Sequence, residues 1–290
     1  MQRGLVSVVI PNYNYAHYLR EAIDSVLAQT YSDIEIVVVD DGSSDASGEV
    51  LGSYGERIQT VFQKNQGVSA ARNNGAGISR GEFIAFLDAD DSWLPAKLEK
   101  QSEIFAADPE LGMVHVGFVE IDDAGRELLE RTNGLEGRVA EELLRFERSV
   151  ILGGGSGIMV RREAFDAVGG FDLRMSTSAD WDLFYRISRS YRVGFIPQVL
   201  LKYRVHALNM HGNIGAMEHD MMLGFEKAFA ADRTPNRRAF YGNLHKTLSA
   251  SYFQAGKYAD FGRHAIQSIW NRPFNIGYFL QFPLRRMRNK

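Results

Sequence analysis

The stretch Phe83-Ile84-Ala85-Phe86-Leu87-Asp88-Ala89-Asp90-Asp91 constrains the fold more than any other. Five apolar residues in a row, without alternation, predict a strand buried on both faces, as in a parallel sheet covered by helices. The run ends in three carboxylates within four residues. In an open α/β sheet, ligands bind at the carboxyl ends of the strands. Three anions there repel one another, and a divalent cation with oxygen ligands, Mg²⁺ or Mn²⁺, would offset that repulsion. Asp91 either joins this group or, with Ser92, caps the helix that Pro95 opens.

The same grammar recurs upstream. Leu5 to Ile10 reads as a strand closed by Pro11 and followed by the turn Asn12-Tyr13-Asn14-Tyr15. Tyr18, Leu19, Ala22, Ile23, Val26 and Leu27 then fall at helical spacing. Ile34 to Val39 is a second buried strand running into Asp40-Asp41-Gly42-Ser43-Ser44-Asp45. A short helix over 46–54, a strand over 58–62 and a helix over 67–77 follow. The first 107 residues thus predict four βα units in a parallel, doubly wound sheet. The first turn contains no glycine and the chain has no GxxxxGK loop, so neither a dinucleotide fingerprint nor a P-loop is present. That turn offers an aromatic ring and side-chain amides, which suit a base better than a pyrophosphate.

A net charge of -3 over 290 residues provides no basic field for nucleic acid. The absence of cysteine excludes disulfides and thiolate metal sites and fits a reducing compartment. The apolar run before Pro11 is too short for a signal peptide, and no stretch approaches the ~20 apolar residues of a membrane span. We therefore expect a cytoplasmic protein.

Downstream, a strand over 113–121 enters the hairpin turn Asp122-Asp123-Ala124-Gly125. Thr132 to Gly137 reads as a flexible loop. Gly153-Gly154-Gly155-Ser156-Gly157 precedes a strand over 158–160, and serves either as a strand-entry turn or as a place of close backbone approach to a ligand. Beyond residue 212 three helices are predicted, over 217–231, 238–255 and 258–270. After Asp260 no acid occurs, while Arg263, Arg272, Arg285, Arg286, Arg288 and Lys290 alternate with aromatic and aliphatic residues. Such a tail suits peripheral contact with an anionic membrane or, equally, a packed helix with a solvated basic end.

Four segments occur in order: Val8-Val9-Ile10-Pro11-Asn12-Tyr13-Asn14, Val39-Asp40-Asp41-Gly42-Ser43-Ser44-Asp45, Asn65-Gln66-Gly67-Val68-Ser69-Ala70-Ala71-Arg72-Asn73 and Leu87-Asp88-Ala89-Asp90-Asp91. Together they closely resemble the nucleotide-sugar domain of glycosyltransferase family 2, of the GT-A fold. The resemblance covers roughly residues 4–210 and implies a catalytic domain over 1–212 with a helical extension over 213–290. It implies that Pro11, Asn12 and Tyr13 line the base, with Asp41 accepting a hydrogen bond from a uracil-type N–H. An acceptor-only carboxylate suits that donor. Asn65 and Arg72 would reach the nucleotide or sugar, Arg72 alternatively forming a structural ion pair. Asp88 and Ala89 would face the ribose, and Asp90 would ligate the metal with Asp88. In Ala179-Asp180-Trp181-Asp182, Asp180 matches the family's general base, although Ala179 stands where a Glu is often found. Asp182 falls on another helix face. His206, in Tyr203-Arg204-Val205-His206, would complete the metal site, with His211 its local competitor.

The resemblance implies an inverting transferase that uses Mn²⁺ or Mg²⁺ and moves a sugar, from a UDP-sugar by preference, to a saccharide or lipid-linked saccharide in surface polysaccharide synthesis. A sugar nucleotidyltransferase would show a glycine-rich basic loop after the first strand. A non-catalytic nucleotide-sugar binding module would keep Tyr13 and Asp41 but lose the base.

Overall fold

The computed structural model describes residues 1–206, 212–231 and 236–281. His211 and the tail residues Arg285, Arg286, Arg288 and Lys290 lie outside them. The chain divides into two compact units. One comprises Met1–Ala140 and Val150–Asn209, the other Glu141–Ser149 and Met210–Lys290.

The first unit is built on one sheet. Strands β1 (Gln2–Asn12), β2 (Ile34–Asp40), β3 (Gln59–Phe62) and β4 (Gly81–Phe86) alternate with helices α1 (Ala16–Leu27), α2 (Ser47–Gly52) and α3 (Val68–Ile78). They lie parallel in the order β3-β2-β1-β4. The unbroken apolar runs exist because both sheet faces are covered. Val6, Val8 and Ile10 pack with Leu19, Ala22, Ile23 and Val26 of α1, whereas Val37 and Val39 pack with Ala71 of α3. All of these are buried.

The sheet continues through β5 (Ser92–Trp93), α4 (Lys97–Ala107), β6 (Leu111–Ile121) and β7 (Glu127–Arg131). After α5 (Ala140–Arg145) come α6 (Gly154–Gly157), β8 (Ile158–Arg161), α7 (Arg162–Ala167), α8 (Ala179–Ser190) and β9 (Arg192–Arg204). β8 enters between β4 and β6 antiparallel to both, while β6 and β9 are parallel.

Two expectations are corrected. Asp91 and Ser92 do not cap a helix. Ser92 and Trp93 form a short strand against β9, α4 begins only at Lys97, and Asp91 Oδ1 accepts the Arg204 backbone N–H at 2.9 Å. The segment 132–137 is pinned rather than loose. Leu135 N–H donates to Val150 O at 2.9 Å, the Leu135 carbonyl lies 2.8 Å from His115 Nε2, and a Cβ on Gly134 would stand 2.4 Å from the His115 ring. Burial holds His115 down to about 4, so its ring is neutral.

The second unit contains α9 (Ile214–Ala231), α10 (Arg237–Gln254) and α11 (Tyr258–Asn271). None of the described helices is long and apolar enough to cross a membrane. Between α10 and α11, buried His245 and His264 meet Nδ1 to Nδ1 at 2.9 Å, so one ring must be neutral to accept. Glu218 Oε2 lies 3.2 Å from His264 Nε2 and accepts the Tyr252 hydroxyl at 2.6 Å. Burial and the neighbouring His264 hold His245 down to about 4, and burial also lowers His264. The unfolded chain therefore takes up protons first as pH falls. Stability is complete above pH ~6.5 and should drop by on the order of 3 kcal/mol by pH ~4. Amide exchange in α10 and α11 checks this; protection that stays constant from pH 7 to about pH 4.5 would refute it.

Candidate active site

Because β2, β1 and β4 are adjacent and parallel, Asp40-Asp41, Asn12-Tyr13 and Asp88 to Asp91 share one rim at the carboxyl ends of the strands. At one side of the rim, Asp40 organises the turn. Its Oδ1 accepts Ser43 N–H at 2.9 Å and its Oδ2 accepts Asn12 Nδ2 at 2.8 Å. Asp41 holds the following loop, accepting Gln63 Nε2 at 2.7 Å and the Gln66 and Gly67 backbone N–H groups at 2.8 Å each. Three of roughly four lone-pair directions are thereby used, leaving one for a ligand. Gly42, at φ +84°, lets that loop close in, since a Cβ there would stand 2.9 Å from Asn65 N. Pro11 and Asn12 are buried, whereas Tyr13 and Asn65 are exposed beside them. Asn12 Oδ1 is buried without a hydrogen-bond partner among the described residues.

At the acidic side, Asp88 Oδ1 pairs with Arg72 Nη2 at 2.5 Å, and Asp88 N–H donates to Ser156 Oγ at 3.0 Å. Burial opposes the charge on Arg72, but Asp88, Asp180 and Asp90 together raise its pKa. Asp90 Oδ2 lies 3.0 Å from His206 Nε2. Burial and Asp88 push the Asp90 carboxyl up, partly countered by His206, while burial with Asp90 and Asp88 pushes Asp91 well up. Burial raises the Tyr203 phenol, and Asp91, Asp88, Asp90 and Asp180 raise it further. Asp88, Asp90, Asp91 and Asp180 thus all act on the Tyr203 phenol.

Asp180 stands in the first turn of α8, its Oδ1 accepting the Trp181 N–H at 2.8 Å. A Cβ on Gly154 would lie 3.1 Å from Asp180 Oδ2, and one on Gly155 would lie 3.0 Å from Arg72 Nη2. The glycine turn is thus a wall of bare backbone between the two charged groups. Asp182 is turned elsewhere. It is buried against Arg186 at 2.6 Å, and Arg186 also donates to the carbonyls of Val168 and Gly170.

Sequence reasoning passed over two residues here. Arg204 donates to the Asp90 carbonyl at 2.9 Å, to Glu21 Oε2 at 2.5 Å and to the Asp122 carbonyl at 3.1 Å, fixing the acidic loop to α1 and to the β6–β7 turn. Its guanidinium also sits 4.7 Å from the Tyr18 ring centroid. Ser156 anchors Asp88. Arg204 stands two residues before His206, which the sequence did single out, and Ser156 lies inside the glycine run.

The acidic rim suits a divalent cation in its donor chemistry, with raised carboxyl pKa values that a positive charge would relieve. Among the described residues, no three His, Asp or Glu side chains form a ready-made metal cage. Asp88 is turned to Arg72, and Asp90 with His206 makes a pair. Mg²⁺ is commonly bound by one or two carboxylates plus substrate phosphates, an arrangement this rim can provide.

Residues 7–169 match the profile described as Glycosyl transferase family 2. An uncharacterized glycosyltransferase from Nostoc sp. is 38% identical over 219 residues, covering 71% of this chain and 66% of the relative. One from Rickettsia prowazekii is 35% identical over 207 residues, covering 70% and 64%. The alignments thus span about two thirds of these curated relatives or slightly less. Among solved structures, S. aureus TarS in complex with UDP-GlcNAc aligns with TM-score 0.61 at 14% identity, over 92% of each chain. The mannosyltransferase PcManGT from Pyrobaculum calidifontis, in complex with GDP-Man and Mn²⁺, aligns with TM-score 0.62 at 20% identity, over 97% of this chain and 82% of its own. At those identities the likeness is one of fold, and that fold is GT-A. With the profile spanning more than half its length and its βα units ending on the same acidic rim, the chain belongs to glycosyltransferase family 2.

Proposed function

We propose that the protein transfers a sugar, with inversion, from a nucleoside diphosphate sugar to the hydroxyl of a saccharide or lipid-linked saccharide. A UDP-sugar is the favoured donor, and surface polysaccharide synthesis the setting. The observation that carries this reading is the acidic strand end, where Asp88 pairs with Arg72 and Asp90 with His206, while the glycine turn faces Asp180 Oδ2 at Gly154 and Arg72 at Gly155, next to a rim that presents Tyr13 and Asp41. The donors bound by TarS and PcManGT on the same fold support it.

In this reading Tyr13 lies along the base and the remaining lone pair of Asp41 accepts its N–H. Arg72 pairs with Asp88 and orients it beside the ribose. The acceptor oxygen attacks the anomeric carbon opposite the departing diphosphate, its proton passes to Asp180, and the bond from that carbon to the phosphate oxygen breaks. One base on one face suffices, and no covalent intermediate is required. Bound Mn²⁺ or Mg²⁺, carried by Asp90 with Asp88 and His206, would offset the charge of the leaving diphosphate. A lipid-linked acceptor would bring the protein into peripheral contact with a membrane.

Incubation with labelled UDP- and GDP-sugars plus Mn²⁺ tests the reading. Release of nucleoside diphosphate with transfer of label to a saccharide is expected. Pyrophosphate exchange would point to a nucleotidyltransferase, and binding without turnover to a non-catalytic module.

A further inference from the structure

Helix α3 holds the segment that leads into Asp180. Ser69, Arg72 and Asn73 fall at i, i+3 and i+4, so they share one face of that helix. Arg72 uses its place to pair with Asp88. Its two neighbours bind the chain that runs from α7 to α8. Asn73 Nδ2 donates to the Phe171 carbonyl at 2.8 Å, and Asn73 Oδ1 accepts the Phe171 N–H at 2.9 Å. One side-chain amide thus satisfies both backbone groups of one residue, as a neighbouring strand would. Ser69 Oγ donates to the Met175 carbonyl at 2.7 Å in a buried bond.

The approach is close. A Cβ on Gly170, at φ +71°, would stand 2.7 Å from Asn73 Oδ1. The buried Phe171 ring lies 5.1 Å from the Arg72 guanidinium and 5.1 Å from the ring of Phe86 on β4. From α8, Arg186 donates to the Val168 and Gly170 carbonyls at 2.7 Å each while pairing with Asp182. The segment 168–175 is therefore tied to α3 at Phe171 and Met175 and to α8 at Val168 and Gly170. Asp180 follows five residues after Met175. Helix α3 also carries Arg72 and starts at the loop whose Gln66 and Gly67 N–H groups Asp41 accepts. Both sides of the site are thus referenced to one rigid element.

We propose that Asn73, assisted by Ser69, is a positioning residue for the general base: by fixing residues 170–175 against α3, it sets where Asp180 stands relative to Arg72 and Asp88. The proposal rests on the assignment of Asp180 above. A base acts only from the correct place, and a misplacement of about 1 Å can cost about 10²-fold in rate.

The test is a double-mutant cycle in the full chain, run with the labelled UDP- or GDP-sugar that the wild type turns over. Asn73→Ala should lower kcat by about 10–10²-fold and leave the dissociation constant of that sugar nucleotide within about twofold. In the Asp180→Asn background the same substitution should cost less than about twofold more, because the group it positions is already gone. A merely structural loss would carry over at full size. Should Asn73→Ala fail to fold, Ser69→Ala removes one hydroxyl from the same segment and takes the same cycle, with a smaller loss that again vanishes without Asp180. Three results would overturn this proposal alone: wild-type kcat in folded Asn73→Ala while Asp180→Asn is impaired, a loss that persists in Asp180→Asn, or weakened binding of the sugar nucleotide, which would trace the effect to Arg72. Wild-type turnover by Asp180→Asn, or no transfer by the wild type, would instead remove the base assignment and this proposal with it.

Discussion

Asp180→Asn should lower kcat for sugar transfer by roughly 10²–10⁴-fold, the usual effect of removing a general base. Donor affinity should barely change, because the base acts on the acceptor. The substitution preserves the local frame, since an amide oxygen can still accept the Trp181 N–H now received by Asp180 Oδ1. It also leaves Asp180's surroundings at Gly154 and Arg72 with a group of the same shape. The measurements are kcat with saturating donor and the dissociation constant of the nucleotide sugar. Asp182→Asn serves as a comparison only where folding is verified, because it breaks the buried pair with Arg186. Wild-type turnover by Asp180→Asn would remove this residue from the mechanism.

Asp90→Ala should reduce transfer by at least about 10²–10³-fold and abolish the part of nucleoside diphosphate affinity that depends on Mn²⁺. The same variant should melt no lower than wild type. Folding raises the Asp90 pKa through burial and through Asp88, so at neutral pH its charge costs stability. Loss of function with unchanged or raised Tm separates a functional carboxylate from a structural one, whose removal lowers both. Full activity in EDTA, together with a wild-type metal response in the variant, would count against the metal assignment.

How much of this was legible beforehand depended on the range of the forces involved. Val8 to Ile10, Val37 to Val39 and Ile84 to Leu87 are buried on both faces, and unbroken apolar runs record that directly. The helices expected over 238–255 and 258–270 were readable from local pattern too, and lie at Arg237–Gln254 and Tyr258–Asn271. Residues whose roles depend on distant partners were not. Asp91 resembles a helix cap in any local window, yet its partner is the Arg204 N–H, 113 positions away. The loop 132–137 looks unstructured until His115 is placed under it. Asp41 was singled out for its carboxylate, but the three hydrogen bonds it accepts from the 63–67 loop depend on tertiary closure. β8 was expected as a strand, whereas its reversed direction between β4 and β6 carries no periodic signal.

The bare turn at Gly154 and Gly155 has a consequence for altering which sugars this protein accepts. Added side-chain atoms there would meet Asp180 Oδ2 and Arg72 Nη2 at about 3 Å, and Gly154 is in the left-handed region at φ +53°. That side of the site can therefore be neither enlarged nor lined with new chemistry by point substitution. Libraries aimed at donor or acceptor choice should hold the turn constant and vary the exposed positions around it, such as Tyr13 and Asn65.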